Sequence, residues 1–369
     1  MIILVILLTP IVSKILWVIC KTCKHGTFRG EEKEILQRAR FLISKVSDSS
    51  EKLMAAMPMW IPSQFQGEWA IYSCSMTCRA LLNIVSLYPK YKNEMKEHIT
   101  KIIDIVLSKE IRKYDSDRWN EDPIQGIQGN LSHLSYYSHL AWMIGEYKLT
   151  YGNSKYDRLH QSLCEAMNRR ICNSHSMNIP TYPHESIYIP DMLVAIVALE
   201  QYNKLNSGQY KNTVNEWIKK AKTEWIDNRT GLLRSRLESN NISGAYSALN
   251  CYYLSLIDIN FAREQYLHLK QSFKHPFLGL KEHVNSELFY EFDIDAGPVI
   301  CNISPSGTAF AVGPATIFND SKFRKQILRV AETVATSVTR KGKTHYLLSN
   351  IALVGEAIVL AMRTTKSKV

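Results

Sequence analysis

The sequence predicts an all-α fold, an (α/α)6 toroid of six helical hairpins behind an N-terminal hydrophobic anchor helix. Three observations predict it. From residue 30 onward apolar residues recur at spacings of three and four, and few runs alternate as strands do. The segments so defined are joined by connections that are short and long in turn. No repeat is visible in the sequence, which weighs against an open helical solenoid. The 369 residues are 46% hydrophobic and 21% charged, enough apolar material for a large core and too much for a disordered chain.

The elements follow in order. Residues 2–20 are almost wholly apolar, interrupted by Thr9, Ser13 and Lys14, and a run of that length is just enough to cross a bilayer. No positive charge precedes it and no small-residue cleavage site follows, unlike a secretory signal. Lys21, Lys24 and Arg29 come directly after it, so the positive-inside rule puts the remainder in the cytoplasm, an extracytoplasmic body being the alternative. Residues 1–25 therefore read as a single-pass membrane anchor or an uncleaved signal, and 26–369 as one toroid domain. Helices are expected over 31–47, 68–88, 92–107, 131–150, 156–170, 189–202, 209–225, 243–256, 260–273, 308–319, 321–339 and 346–362. The long connections are 48–67, 108–130, 171–188, 226–242 and 274–307. Short connections make neighbouring helices antiparallel, so every long connection falls at one end, where the even-numbered helices begin. Long loops carry function more often than short ones, and helix N-termini favour negative charge. A binding mouth is expected at that end.

Composition narrows the chemistry. Lysine plus arginine number 45 against 34 acids, and the net charge of +11 points to an anionic lipid surface or an anionic ligand. The basic residues are scattered and no nucleic-acid motif is present, so nucleic acid is not an expected partner. Cys20 and Cys23 form a C-x-x-C with no second pair at zinc-site spacing, and Cys74 and Cys78 stand one helical turn apart, as small core residues do. No H-E-x-x-H, Walker A, G-x-S-x-G or G-x-G-x-x-G motif occurs, and neither a metal nor a cofactor is expected.

The long connections are rich in aromatic rings and carboxylates. Glu68 and Trp69 enter the second helix, with Tyr72 one turn on; the next loop carries Trp119 and Asp122. Tyr182, His184 and Glu185 precede Asp191, and the longest loop holds Asp293 and Asp295. Rings supply apolar contact, while a carboxyl desolvated among them gains a raised pKa and can donate a proton. Each acid also has a plainer use: Asp191 as a helix cap, Asp293 or Asp295 as a partner of Arg234 or Arg236. His133 and His139 are six residues apart, too far round a helix to form an i, i+4 metal pair.

Two segments resemble a known family. The stretch from Asn130 through His133 and His139 to Leu140, followed by Met143, Tyr147 and 153–157, is similar to the N-I-M-Y-S-G-H-L … Y … G-D-x-x-Y-D segment of linalool dehydratase-isomerases. Tyr182 to Glu185, with Ala198, Leu199 and Tyr202 after it, is similar to that family's C-E-P-N … C-N … A-L segment. The resemblance covers about residues 130–205 and implies an (α/α)6 toroid, a pocket histidine at His139 and a substrate-handling glutamate at Glu185. The family's two active-site cysteines fall on His184 and on Leu193, or near Asp191, so its thiol chemistry cannot carry over unchanged.

The expectation is a membrane-tethered enzyme using acid–base catalysis without a metal. Glu185 is the principal acid or base, His139 orients it, and Asp122, Asp293 or Asp295 is the second carboxylate. Trp69, Trp119, Tyr182 and Tyr246 wall the pocket, with Glu68, Tyr72, His184 and Asp191 completing it. The resemblance implies a hydro-lyase or isomerase acting on a small hydroxylated, terpenoid-like substrate. Paired carboxylates on a toroid suit a glycoside hydrolase instead, and a non-catalytic binding toroid is the third reading.

Overall fold

The computed structural model describes residues 2–22 and 30–368, with the backbone alone for 2–9 and 11. Of the expected features, the Cys23 end of the C-x-x-C, Lys24, Arg29 and the boundary at 25/26 lie outside the described residues. The chain is mostly helical. Among the described residues that follow the N-terminal helix, six helices are apolar around nearly their whole circumference: α4 (Ser63–Leu87), α7 (Leu134–Tyr151), α9 (Ile189–Leu205), α11 (Gly244–Ile257), α13 (Pro305–Ile317) and α15 (Leu353–Thr364). A helix hydrophobic all round has to be buried on all sides. These six bury each other: α4 packs on α7, α7 on α9, α9 on α11, α11 on α13, α13 on α15, and α15 returns to α4.

Six two-faced helices cover them, each with an apolar stripe inward and charge outward: α2 (Glu32–Val46), α5 (Lys92–Val106), α8 (Asp157–Asn173), α10 (Lys211–Glu224), α12 (Ile259–Phe273) and α14 (Ser321–Ala335). Each covers the apolar helix before it in the chain, and α2 covers α15. Among the described residues α4 is long and apolar enough to cross a membrane, but 78% of that apolar stretch is buried among its neighbours, as a core helix requires.

The long connections are not bare loops. Residues 48–67 contain α3 (Ser50–Ala55), capped by the Ser49 side chain on the Lys52 amide, and α4 begins five residues earlier than expected. Residues 108–130 contain α6 (Lys109–Trp119), capped by Ser108. Residues 274–307 carry a four-stranded antiparallel sheet in the order β1 (Leu280–Lys281), β4 (Ile303–Ser304), β3 (Gly297–Ile300), β2 (Tyr290–Asp293). The helices expected over 321–339 and 346–362 require correction. They are separated by a hairpin of β5 (Ser337–Arg340) and β6 (Lys343–Tyr346), because Lys341 and Gly342 take positive φ and turn the chain sharply between runs that carry the strand formers Val338, Thr339, Thr344 and Tyr346. The N-terminal helix α1 (Ile2–Thr22) lies along α14.

Candidate active site

The N-terminal ends of α4, α7, α9 and α11 converge, and side chains tie them together. Tyr182, just before α9, donates from its hydroxyl to Ser135 in the first turn of α7 at 3.1 Å; Tyr114 of α6 meets the same Ser135 at 2.9 Å. Arg118, on α6 one turn after Tyr114, lies 3.5 Å from the centre of the Tyr182 ring and donates to Glu68 of α4 at 3.3 Å. Tyr246 in the first turn of α11 donates to Asp295 in the β2–β3 turn at 2.5 Å. Asp191 in the first turn of α9 accepts from Thr181 at 2.7 Å.

Glu68, Asp191 and Asp295 lie close enough to repel one another's ionisation. Burial pushes Glu68 up to about 8, against the opposing pull of Arg118 and with help from Asp295 and Asp191. Asp191 is raised to about 7, first by burial, against the Thr181 bond, with Asp295 and Glu185 adding to it. Asp295 is raised to about 6 by burial against the Tyr246 bond. It keeps solvent on its open side while the rim surrounds it elsewhere, and its pKa is the lowest of the three. Below them, burial and the nearby Asp191 raise the Tyr72 hydroxyl far above its ordinary value. The Tyr72 ring stands 4.5 Å from that of His139, whose Nδ1 is 2.9 Å from Ser75 Oγ. Burial lowers His139 to about 3, so it is neutral and serves as a hydrogen-bonding group.

The structure thus brings together Glu68, Tyr72, Tyr182, Asp191, Tyr246 and Asp295, with His139 beneath. Trp69 is half-buried at the side, its ring edge-on to Trp60 at 6.0 Å. Glu185 and His184 are exposed on the lip; Glu185 acts on Asp191 and Asp295 through its charge. Asp122 is not part of the cluster. Although partial burial alone would raise it, bonds from Arg112 at 2.8 Å and from the Ile124 amide at 2.9 Å hold it below the ordinary range, where it fixes a turn. Asp293 accepts from the amides of Asp295 and Ala296 and shapes the hairpin that carries Asp295. Trp119 packs 5.6 Å from His133. That histidine is buried between Asp115 at 2.5 Å and Glu121 at 3.1 Å, a clamp joining α6 to the start of α7.

Sequence reasoning passed over Arg118 and Glu282. Arg118 was visible only as one charge in an acidic loop; its role appears once 109–119 is helical and puts it one turn from Tyr114. Glu282 accepts from the Ser243 hydroxyl and from the Ala245 amide at 3.2 Å, seating the first turn of α11 and with it Tyr246; burial raises its carboxyl to about 7. The four-residue distance between α4 Cys74 and Cys78 places both thiols in the core, and burial raises them well above their ordinary range. A cleft of about 960 Å³ lies between α9, α10 and the start of α12, where Lys204, Lys211, Lys219 and Lys222 stand among apolar, neutral and acidic residues, away from these carboxyls. No known family model matches the chain.

Proposed function

We propose that the protein is an (α/α)6 toroid whose mouth is an acid–base active site for a hydroxylated substrate. The succession of apolar helices that leaves α4 and returns to it through α15, each covered by one two-faced helix, supports the toroid. One observation carries the activity: three carboxyls from three different elements share one mouth and are pushed upward by different amounts. Environments that separate the pKa values of neighbouring acids separate their roles. Near neutrality Glu68 keeps its proton and is the acid, while Asp295 has lost its own and is the base. This moves the principal acid from Glu185, which is exposed, to Glu68. Tyr72, Tyr182 and Tyr246 supply apolar faces with hydroxyl tips, suited to a polyol.

In this reading Glu68 gives its proton to the oxygen that leaves. Asp295 removes a proton from an attacking water, which is glycoside hydrolysis. The site is open to solvent on the Asp295 side, and this favours the end of a glycan over a small alcohol that must be enclosed. The neutral His139–Ser75 pair beneath Tyr72, at the position the linalool dehydratase-isomerase resemblance gives to a pocket histidine, favours a second reading. There the same acid expels water from a small alcohol while the base removes a proton from the adjoining carbon. The apolar α1 tethers the body to a membrane, with the body on the cytoplasmic side.

The test is a turnover screen of the full chain on oligosaccharides and on allylic and terpenoid alcohols, with products read by mass spectrometry. Glu68→Gln is expected to lower kcat by roughly 10²–10⁴-fold, and Glu185→Gln to leave it within a few-fold. The wild-type profile should be a bell between about 6 and about 8, set by Asp295 losing and Glu68 keeping a proton. Turnover unaffected by Glu68→Gln removes it from the mechanism; silence on every substrate favours a binding toroid.

A further inference from the structure

The rim of the mouth is not uniform. Over α7, α9 and α11 it is mostly polar, with Glu121, Glu185 and Glu238 in the connections and Leu131 the exposed large apolar side chain there among the described residues. Over α13, α15 and α4, three helices packed side by side, it is apolar. Met59 and Trp60 stand before α4, Phe289 and Phe292 on the hairpin before α13, and Leu348 and Ile351 before α15, all exposed, Met59 at 93% and Phe289 at 73%. Trp60 and Phe292 touch edge to face at 5.6 Å, so two of these segments meet in one surface. Water-exposed side chains of this size in one contiguous sector mark an interaction surface.

The occupant is indicated by α1. Near the start of α14, Arg324 bonds Thr316 of α13 and the carbonyl of Arg363, both at the far ends of their helices. The end of α14 therefore lies beside the starts of α13 and α15, at the mouth. Helix α1 runs the opposite way: its Thr22 meets Arg329, while its Lys14 meets the Glu332 carbonyl and Thr336. Residues before Lys14 thus project past the end of α14 on the mouth side, next to the apolar sector. The outward flank of α1 is apolar as well, with Val12, Ile15, Leu16 and Ile19 exposed. Arg340 and Lys341 are exposed at the turn of the β5–β6 hairpin, which leaves the end of α14 and leads into α15, and cations there suit anionic headgroups.

We propose that this sector of the rim docks into the interface of a lipid bilayer, so that the mouth opens at the membrane surface. The proposal rests on the reading of α1 as a membrane anchor, and two separate readouts keep them apart. The full chain is mixed with phosphatidylcholine–phosphatidylglycerol vesicles and floated on a density gradient, which tests the anchor. Tryptophan quenching is then measured with lipids brominated near the headgroup, comparing wild type with Trp60→Phe. The rim proposal expects the wild type to show a quenched component that Trp60→Phe lacks. It also expects Leu348→Trp, placed in the Trp60→Phe background, to restore one. Flotation without either component overturns the rim docking and leaves the anchor. Failure to float overturns both. A rim unquenched by lipid but buried in a concentration-dependent dimer overturns it in favour of a second copy of the chain.

Discussion

Glu68 lies past the first turn of α4, beyond the reach of the helix N-terminus, and there burial and two neighbouring acids outweigh the Arg118 ion pair. Its proton is held more tightly in the folded chain, near 8, than in an unfolded one, where the ordinary value of 4.5 applies. A group of this kind supports folding while protonated, and the support is lost as pH rises from the ordinary carboxylate range through about 8. Glu68→Gln cannot ionise and escapes the loss. Its Tm relative to wild type is therefore expected to climb with pH, near parity around pH 4 and clearly higher by about pH 9. Thermal unfolding across that range checks it; a difference that shrinks with pH would contradict the buried, protonated carboxyl. The sequence placed Glu68 at the mouth because it opens the helix expected over 68–88 in an aromatic run. That Glu68 would carry a strongly raised pKa was not legible, since the protein and the charges that surround it come from distant segments.

At the scale of elements, hydrophobic spacing located the apolar and two-faced helices well, because a period near 3.6 is written into every turn. It failed over 274–304 and 337–346, where strands are two to four residues long and too short to show alternation. These strands matter to the site, since the sheet delivers Asp295 and seats α11. The seat is close: a Cβ on Gly244 would come within 1.9 Å of the Lys281 carbonyl oxygen, and the Gly244 amide donates to the Glu282 carbonyl at 2.9 Å. Gly244→Ala must push the strand off the helix. A loss of about 1–3 kcal/mol is expected, the usual size of an overpacking penalty, together with weaker coupling of Tyr246 to Asp295. Urea unfolding measures the first, and a shift of the acidic limb of the pH–rate profile measures the second. Unchanged stability would mean that the sheet does not press on α11.

The whole molecule joins its two ends through buried charge. Glu31, at the head of α2, accepts from Arg363 of α15 at 2.8 Å and from Arg324 of α14 at 3.0 and 3.2 Å. Glu34 accepts from Arg363 and Arg38, and Arg38 reaches Glu356 of α15 at 2.6 Å. Arg38 and Arg363 have no solvent-accessible side-chain surface, and Glu31 almost none. No periodicity announces such a network, because the bonds between its two halves span 293 to 332 residues of chain and each member reads locally as a surface charge. Hydrophobic residues could have closed the same contact, but with the ions in place removing one partner strands the others in the core. Arg363→Met keeps the volume and leaves Glu31 with Arg324 alone. A loss of about 3–5 kcal/mol is expected in urea unfolding, the usual result of breaking a buried pair. Glu31→Gln in the same background returns the cluster to two cations, Arg38 and Arg324, against two carboxylates, Glu34 and Glu356, and should recover part of that loss, which distinguishes an electrostatic fault from poor packing of the methionine. If the single variant unfolds within about 1 kcal/mol of wild type, α2 and α15 are held by apolar packing and the ions are dispensable.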